Sequence, residues 1–127
     1  MTTAHLEHAN ITVSDAEKTA QWMAHLFGWQ QRWQGPTQDG GLSLHIGTND
    51  SYLALYQPPQ PKARARSDYL TTGGLNHVGV VVQDLDASEE KAKALGFTPH
   101  THADYEPGRR FYFNDHDGIE FELVQYD

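Results

Sequence analysis

Cysteine is absent from this sequence of 127 residues. Its absence excludes disulfide bonds and thiolate metal sites, so any bound metal must use nitrogen and oxygen ligands. A chain without disulfides is typical of the cytoplasm, and we expect the protein to be located there.

Long hydrophobic runs and basic residues are also scarce. No apolar stretch approaches the roughly 20 residues that a transmembrane helix needs, and residues 1–5 lack the basic start of a signal peptide. Lysine and arginine number 9 against 17 acidic residues, for a formal net charge of -8. This balance predicts that neither nucleic acid nor an anionic membrane is a partner.

The sequence does contain eight histidines, which favours a histidine-based site, and its two halves resemble each other. A self-match that keeps register across several segments indicates one structural unit used twice. We predict a single domain, residues 1–127, made of a module at about 4–57, a linker at 58–74 and a module at about 75–127. The matching pairs of segments are 6–15 with 75–84, 26–29 with 94–97, and 53–55 with 121–123.

Each module has the pattern of one strand, one helix and three further strands. Residues 6–13 alternate and are rich in β-branched types, which predicts a strand. Ser14 or Asp15 can cap the following helix, and Gly28 ends it. The apolar face of that helix is predicted to hold Ala16, Ala20, Met23, Ala24 and Phe27. The other predicted elements are strands 29–34, 41–47 and 51–57, then strand 75–82, helix 86–95 and strands 97–104, 109–114 and 118–126.

Side chains alternate across a strand, so one face of each strand packs on the helix and the other face carries the remaining residues. The remaining residues form a largely polar face, which is costly unless water or a ligand covers it. Concave surfaces with a few convergent polar groups are typical of small-molecule sites. The residues on this face are His8, Asn10, Thr12, Ser43 and His45 in the first module, and His77, Gly79, Val81, Arg110, Tyr112, Asn114, Glu120, Glu122 and Val124 in the second.

Two neutral imidazoles and one carboxylate on such a surface make a 2-His-1-carboxylate metal site. This ligand set suits Fe(II), and also Mn(II), Zn(II) or Ni(II). It leaves coordination positions open for a substrate, which distinguishes a catalytic metal site from a structural one.

Three features together resemble the glyoxalase / bleomycin-resistance / extradiol dioxygenase superfamily, also called the vicinal oxygen chelate superfamily. They are the doubled βαβββ unit, the L-x-H openings at His8 and His77, and the closing D-x-D-G-x-x-x-E-L motif from Asp115 to Leu123. The resemblance covers almost the whole chain. It implies an α+β fold in which two tandem βαβββ modules form a cupped, barrel-like mixed sheet with the helices on the outer face.

The resemblance places four metal-ligand positions at His8, Ala54, His77 and Glu122. Alanine cannot bind a metal, and this departure counts against glyoxalase I activity, which usually uses four ligands. The three-ligand pattern is similar to that of extradiol dioxygenases, which use iron, and of fosfomycin-modifying thiol transferases, which use manganese. We therefore expect a divalent metal held by His8, His77 and Glu122, with Fe2+ first and Mn2+, Zn2+ or Ni2+ as alternatives. Glu120 is the alternative carboxylate.

Other residues of the polar face are candidates for catalysis and substrate binding. Tyr112 stands ten residues before the glutamate, where the resembling enzymes carry a tyrosine that bonds substrate oxygens. His45 is a candidate general base, because imidazole titrates near neutral pH. The candidates for substrate binding are Asn10, Tyr52, Tyr56 and Arg110. Three tryptophans are left open between core packing and lining of the cavity: Trp22, Trp29 and Trp33.

These observations favour a metal-dependent enzyme whose partner is a small molecule that chelates the metal through two oxygens. Dioxygenase, isomerase, lyase and transferase chemistry all stay open, because the metal does the same task in each. The alternatives are a metal-free binding protein of the bleomycin-resistance type and a domain whose metal site is vestigial. We also expect a homodimer, since members of the resembling family often pair two chains.

Overall fold

The elements of the computed structural model follow the predicted order in both modules. The structure describes residues 2–63 and 68–127, so residues 64–67 of the predicted linker lie outside this part of the chain. The chain divides into two units, Met1–Lys62 and Ala63–Asp127. The elements are β1 (His8–Thr12), α1 (Ala16–Phe27), β2 (Gln30–Pro36), β3 (Leu42–Gly47), β4 (Tyr52–Gln57), β5 (Val78–Val81), α2 (Leu85–Ala94), β6 (His100–Tyr105), β7 (Gly108–Asn114) and β8 (Glu120–Tyr126).

The first unit contains a four-stranded mixed sheet in the order β1-β4-β3-β2. Its edge strand β1 runs parallel to β4, and the other pairs are antiparallel. The helix α1 begins after Asp15, whose carboxylate accepts the backbone N–H of Lys18. It ends at Gly28, which has a positive φ of 71° and donates its N–H to the carbonyl of Ala24. Both predicted helix boundaries of this module are therefore present.

The second unit repeats this topology. Its sheet has the order β5-β8-β7-β6, with β5 parallel to β8. Asp84 caps α2 by accepting the backbone N–H of Ala87. The predicted α+β fold of two tandem βαβββ modules is thus confirmed, and hydrogen bonding divides the strands into two mixed sheets, one for each module.

The helix-facing side chains of the strands form the core of each unit, as the alternation predicts. In the first unit the most completely buried of them are Leu44, Ile46 and Leu55. In the second unit they are Phe111, Phe113, Phe121 and Leu123. Truncating a buried phenylalanine to alanine typically costs about 3–5 kcal/mol, so these side chains fix which face of each sheet is turned toward the helix.

The buried face of α1 differs in part from the predicted one. Ala16, Ala20 and Met23 are buried as expected, but Ala24 is exposed. The large apolar side chains Trp22 and Leu26, four residues apart, are buried instead. Burying their larger apolar area outweighs burying one methyl group, so the face is centred on them. Within the described residues, neither helix is long and apolar enough to cross a membrane.

The turn between β7 and β8 is built around Asp115, which is buried. Its Oδ1 accepts the backbone N–H groups of Asp117 at 2.9 Å and of Ile119 at 3.0 Å. Gly118 has a φ of +79°, which lets the chain reverse. Oδ2 is buried and has no hydrogen-bond partner among the described residues, and burial raises the pKa of the Asp115 carboxyl although the two amides oppose this shift. One oxygen of Asp115, Oδ1, therefore accepts both side-chain hydrogen bonds that hold the turn.

We predict that Asp115→Ala lowers the free energy of unfolding by about 1–3 kcal/mol, because two buried amides lose their acceptor. Asp115→Asn is the matched control: its side-chain oxygen can accept the same two hydrogen bonds, and it should stay within about 1 kcal/mol of the wild type. Urea denaturation followed by circular dichroism measures both values. Equal losses in the two variants would show that the carboxylate charge stabilises the turn.

Candidate functional site

Glu122 lies in the middle of the polar face of the second sheet. Its Cα partners are Tyr112 in β7 and Gly79 in β5. Its Oε2 accepts hydrogen bonds from the hydroxyl of Tyr112 and from a terminal nitrogen of Arg110, each at 3.1 Å. A Cβ atom added at Gly79 would lie 3.6 Å from Oε1. One oxygen of the carboxylate is therefore held by two donors, and the other faces β5.

His77 lies directly before β5 and faces this second oxygen. Its Nε2 is 3.3 Å from Oε1 of Glu122, and its Nδ1 is 2.6 Å from Oδ1 of Asn76. In the tautomer whose proton is on Nδ1, the ring donates to the oxygen of Asn76, and Nε2 presents a lone pair toward Glu122. Two electron-donating atoms then face each other, an arrangement that a cation or a proton between them makes favourable.

The pair fits a divalent metal in donor type and in spacing. Nitrogen and oxygen ligands bind such ions at about 2.0–2.2 Å, so two ligands at right angles lie about 3 Å apart. The 3.3 Å between Nε2 of His77 and Oε1 of Glu122 is close to this value. Among residues 2–63 and 68–127, no group of three or more His, Asp or Glu side chains is arranged to hold a metal. The second unit thus supplies two donors of the expected three.

The electrostatics of this face separate Glu122 from the alternative carboxylate, Glu120. Burial raises the pKa of Glu120, and the charge of Glu122 adds to the effect. The hydroxyl of Tyr69 donates a hydrogen bond to Glu120, whereas Glu122 is the carboxylate that faces His77. Burial also raises the pKa of Tyr112, again with a contribution from Glu122. Glu122 is thus the carboxylate beside His77, and the raised pKa of Tyr112 keeps its hydroxyl protonated at neutral pH.

The equivalent position of the first unit is Ala54. It pairs with Asn10 in β1 and with His45 in β3, just as Glu122 pairs with β5 and β7 of the second unit. The backbone register therefore gives the same equivalence as the sequence match. Ala54 is buried, and the first unit has no carboxylate at this position.

A row of four rings occupies the polar face of the first unit. His8 stacks on Tyr52 at 5.0 Å between ring centroids, and Tyr52 stacks on His45 at 4.6 Å. Trp33 lies beside His45 at 5.1 Å. Arg32 places its guanidinium 4.4 Å from the Tyr52 ring centroid, and the register shift between Gln31 and Trp33 marks a bulge at this residue. The polar face of the first unit therefore carries aromatic rings, whereas that of the second unit carries the carboxylate of Glu122.

Two residues that the sequence analysis missed orient the histidines. Nδ1 of His8 is 2.9 Å from Oε1 of Glu7, and Nδ1 of His77 has the same relation to Asn76. In both cases the preceding side chain occupies Nδ1 and leaves Nε2 for a ligand. The signal was present in the sequence, because each L-x-H opening has a side-chain oxygen at its middle position.

The other predicted site residues have varied surroundings. Asn10 is exposed on β1, and the hydroxyl of Tyr56 donates a hydrogen bond to Asp39. Arg110 contacts Glu122 and also lies 4.6 Å from the ring centroid of Tyr105. Of the three tryptophans, Trp22 is buried, Trp29 is partly buried and Trp33 is 50% exposed.

The chain was also compared with models of known protein families. The model of the Glyoxalase/Bleomycin resistance protein/Dioxygenase superfamily matches residues 5–123. The chain belongs to this superfamily. No curated protein matches it at a significant level.

Solved structures similar to the chain share its fold at low sequence identity. A glyoxylase/bleomycin resistance protein/dioxygenase domain from Frankia sp. EAN1pec has a TM-score of 0.82 at 19% identity, covering 99% of this chain and 100% of that one. The fosfomycin resistance protein FosX from Listeria monocytogenes, complexed with Mn(II) and sulfate, has a TM-score of 0.76 at 19% identity, covering 100% and 95%. TnmS3, an antibiotic binding protein from Streptomyces sp. CB03234, has a TM-score of 0.70 at 20% identity, covering 100% and 99%.

We predict that His45 loses its proton at a lower pH than a free imidazole, because burial and the charges of His8 and Arg32 lower its pKa from 6.5. The folded state then binds fewer protons than the unfolded state, so the stabilising contribution of His45 is present above pH 6.5 and is lost as the pH falls toward the folded pKa. NMR titration of the ring protons measures this pKa. Arg32→Gln should raise it, whereas Lys18→Gln on α1 should not; identical shifts in both variants would contradict the assigned cause.

Proposed function

We propose that this chain is a divalent-metal-dependent enzyme acting on a small substrate that binds the metal through two neighbouring oxygens. The proposed ligands are His8, His77 and Glu122. The observation that carries the proposal is the 3.3 Å approach of Nε2 of His77 to Oε1 of Glu122, with Nδ1 of the same ring already occupied by Asn76.

The proposed third ligand is His8 of the first unit. It is equivalent to His77 in the repeat, and Glu7 holds its Nδ1 in the same way. Whether it comes from the same chain or from a partner copy is left to the experiment on oligomeric state below. Ala54 cannot add a fourth ligand, so the proposed site keeps positions for substrate oxygens and does not match the four-ligand set of glyoxalase I.

A bound metal would act as a Lewis acid on the substrate oxygens. In this proposal the Tyr112 hydroxyl, kept protonated by its raised pKa, donates a hydrogen bond to a substrate oxygen. The lowered pKa of His45 keeps its ring neutral and able to accept a proton. Tyr52 and Tyr56 would contact the substrate on the same face as His45.

Fe2+ is the metal that we expect first, because two histidines and one carboxylate form its usual open site. Mn2+ is the main alternative, since a FosX structure similar to this chain contains Mn(II). Zn2+ and Ni2+ accept the same ligands. Dioxygenase, isomerase, lyase and transferase reactions are all compatible with this ligand set.

Metal-free binding of a small molecule is the competing function. The antibiotic binding protein TnmS3 has a similar fold, and the row of four rings in the first unit could stack on an aromatic ligand. A protein of this type would have no use for the open Nε2 of His77 beside Oε1 of Glu122. We therefore favour the metal-dependent function.

We predict that the purified protein binds about one equivalent of divalent metal per proposed site when Fe2+, Mn2+, Zn2+ or Ni2+ is supplied without chelators. His77→Ala and Glu122→Gln should each weaken binding by at least about tenfold, since loss of a ligand removes a direct bond to the ion. Titration calorimetry and elemental analysis measure this.

Glu120→Gln is the matched control, because it removes a carboxylate from the same face and strand but leaves the His77–Glu122 pair intact. It should bind metal like the wild type. Failure of the wild type to bind any of the four metals would exclude the proposed enzyme and leave metal-free binding.

A homodimer is the expected assembly. The strands β1 and β5 lie at the edges of their sheets, and an exposed strand edge is usually covered or paired. Sedimentation equilibrium at micromolar concentration should give twice the chain mass of 14.3 kDa. A single-chain mass would contradict the prediction and would require all three ligands to come from one chain.

A further inference from the structure

Arg110 is held tightly against the carboxylate of Glu122. A terminal nitrogen of its guanidinium is 3.1 Å from Oε2, and both side chains are only 14% exposed. The guanidinium also lies over the ring of Tyr105, and the Nε atom is buried. An ion pair with so little exposure is weakly screened by water, so the arginine charge acts strongly on its surroundings.

We propose that Arg110 is a positioning residue that cancels the charge of Glu122 and thereby reserves the metal site for an anionic substrate. This inference rests on the proposed function, because it takes Glu122 as a metal ligand. In this inference Arg110 contacts the carboxylate of Glu122, whereas the sequence alone favoured direct contact between Arg110 and the substrate.

The charges around the carboxylate support this assignment. The guanidinium neutralises Glu122, and an imidazole that binds a metal does so as a neutral ligand, so His77 would add no negative charge. A divalent ion held by Glu122 and His77 would therefore keep most of its charge uncompensated by these two ligands. An anionic ligand with two neighbouring oxygens, such as a dicarboxylate, an enediolate or a catecholate, supplies the missing negative charge.

The hydrogen bonds to Glu122 point to the same role. Oε2 is occupied by Arg110 and Tyr112 together, so only Oε1 is free to face His77. A carboxylate fixed in this way offers one oxygen to a metal and cannot swing to offer both. The remaining positions of the ion then stay available for the two oxygens of the anion.

Arg109 provides a matched control on the neighbouring residue. Its guanidinium bonds the carboxylate of Asp86 on α2 at 3.2 Å, so it points to the helix side of the sheet. Arg109→Met removes the same charge as Arg110→Met from the adjacent position, but it leaves Glu122 untouched. Arg110→Lys keeps the charge with a different shape.

The test is calorimetric titration of Mn2+ into the four proteins, alone and with saturating oxalate or its neutral diamide, oxamide. In the wild type, oxalate should tighten Mn2+ binding by at least about tenfold beyond the binding of Mn2+ to free oxalate, and oxamide should not. Arg110→Met should bind Mn2+ alone about tenfold or more tighter than the wild type, because a nearby positive charge is gone. Its gain from oxalate should shrink to about threefold or less, while Arg109→Met behaves like the wild type and Arg110→Lys, which keeps the charge, retains a larger gain than Arg110→Met.

Two outcomes are distinct. If the wild type binds Mn2+ and Arg110→Met binds it no more tightly, or keeps the full gain from oxalate, the role of Arg110 is wrong while the metal site stands. If neither the wild type nor Arg110→Met binds Mn2+, Fe2+, Zn2+ or Ni2+, the proposed function itself fails. Circular dichroism of each variant separates either result from a failure to fold.

Discussion

The polar face of the second unit depends on the fixed carboxylate of Glu122. Three side chains converge on it, two from β7 and one from the residue before β5: Arg110 and Tyr112 contact one oxygen, and His77 contacts the other. Because the carboxylate is only 14% exposed, its charge cannot be left without partners, and this requirement fixes the orientation of each neighbour. The raised pKa of Tyr112 follows from burial beside the same charge.

The duplicated unit uses one backbone for two different surfaces. The same register that places Glu122 between β5 and β7 places Ala54 between β1 and β3. The first unit has an alanine where the second has this carboxylate, and aromatic rings occupy its polar face. The symmetry of the fold is therefore preserved by the helix-facing core, while the opposite faces have diverged.

The sequence predicted the topology well, because it depends on patterns that repeat. Strand alternation placed Phe111 and Phe121 in the core and His77 and Glu122 on the opposite face. Local backbone irregularities were harder to predict. The strand expected from residue 97 starts at His100, next to a residue with positive φ, Thr101, and a shift in register. Apolar alternation does not encode such a bulge.

The pairing of Arg110 with Glu122 was not predicted, because alternation says which face a side chain is on but not which neighbour it contacts. The two residues are twelve positions apart in the sequence. They meet because the pairing of β7 with β8 places Arg110 diagonally across from Glu122. The row of four rings in the first unit was missed for the same reason, since its members come from all four strands. Predicting such contacts requires the register, which the strand pattern alone leaves open.

The oxygen-bearing residues before the two histidines have a consequence for how relatives of this protein diverge. A relative that keeps His8 and His77 but carries an apolar residue at position 7 or 76 would retain both proposed histidine ligands while losing the acceptor at Nδ1. Its imidazoles could then turn over or exchange tautomers. Under the proposed function, the two histidines alone are therefore an incomplete criterion for shared metal binding, and the dipeptides Glu7-His8 and Asn76-His77 are the better unit to follow through the family.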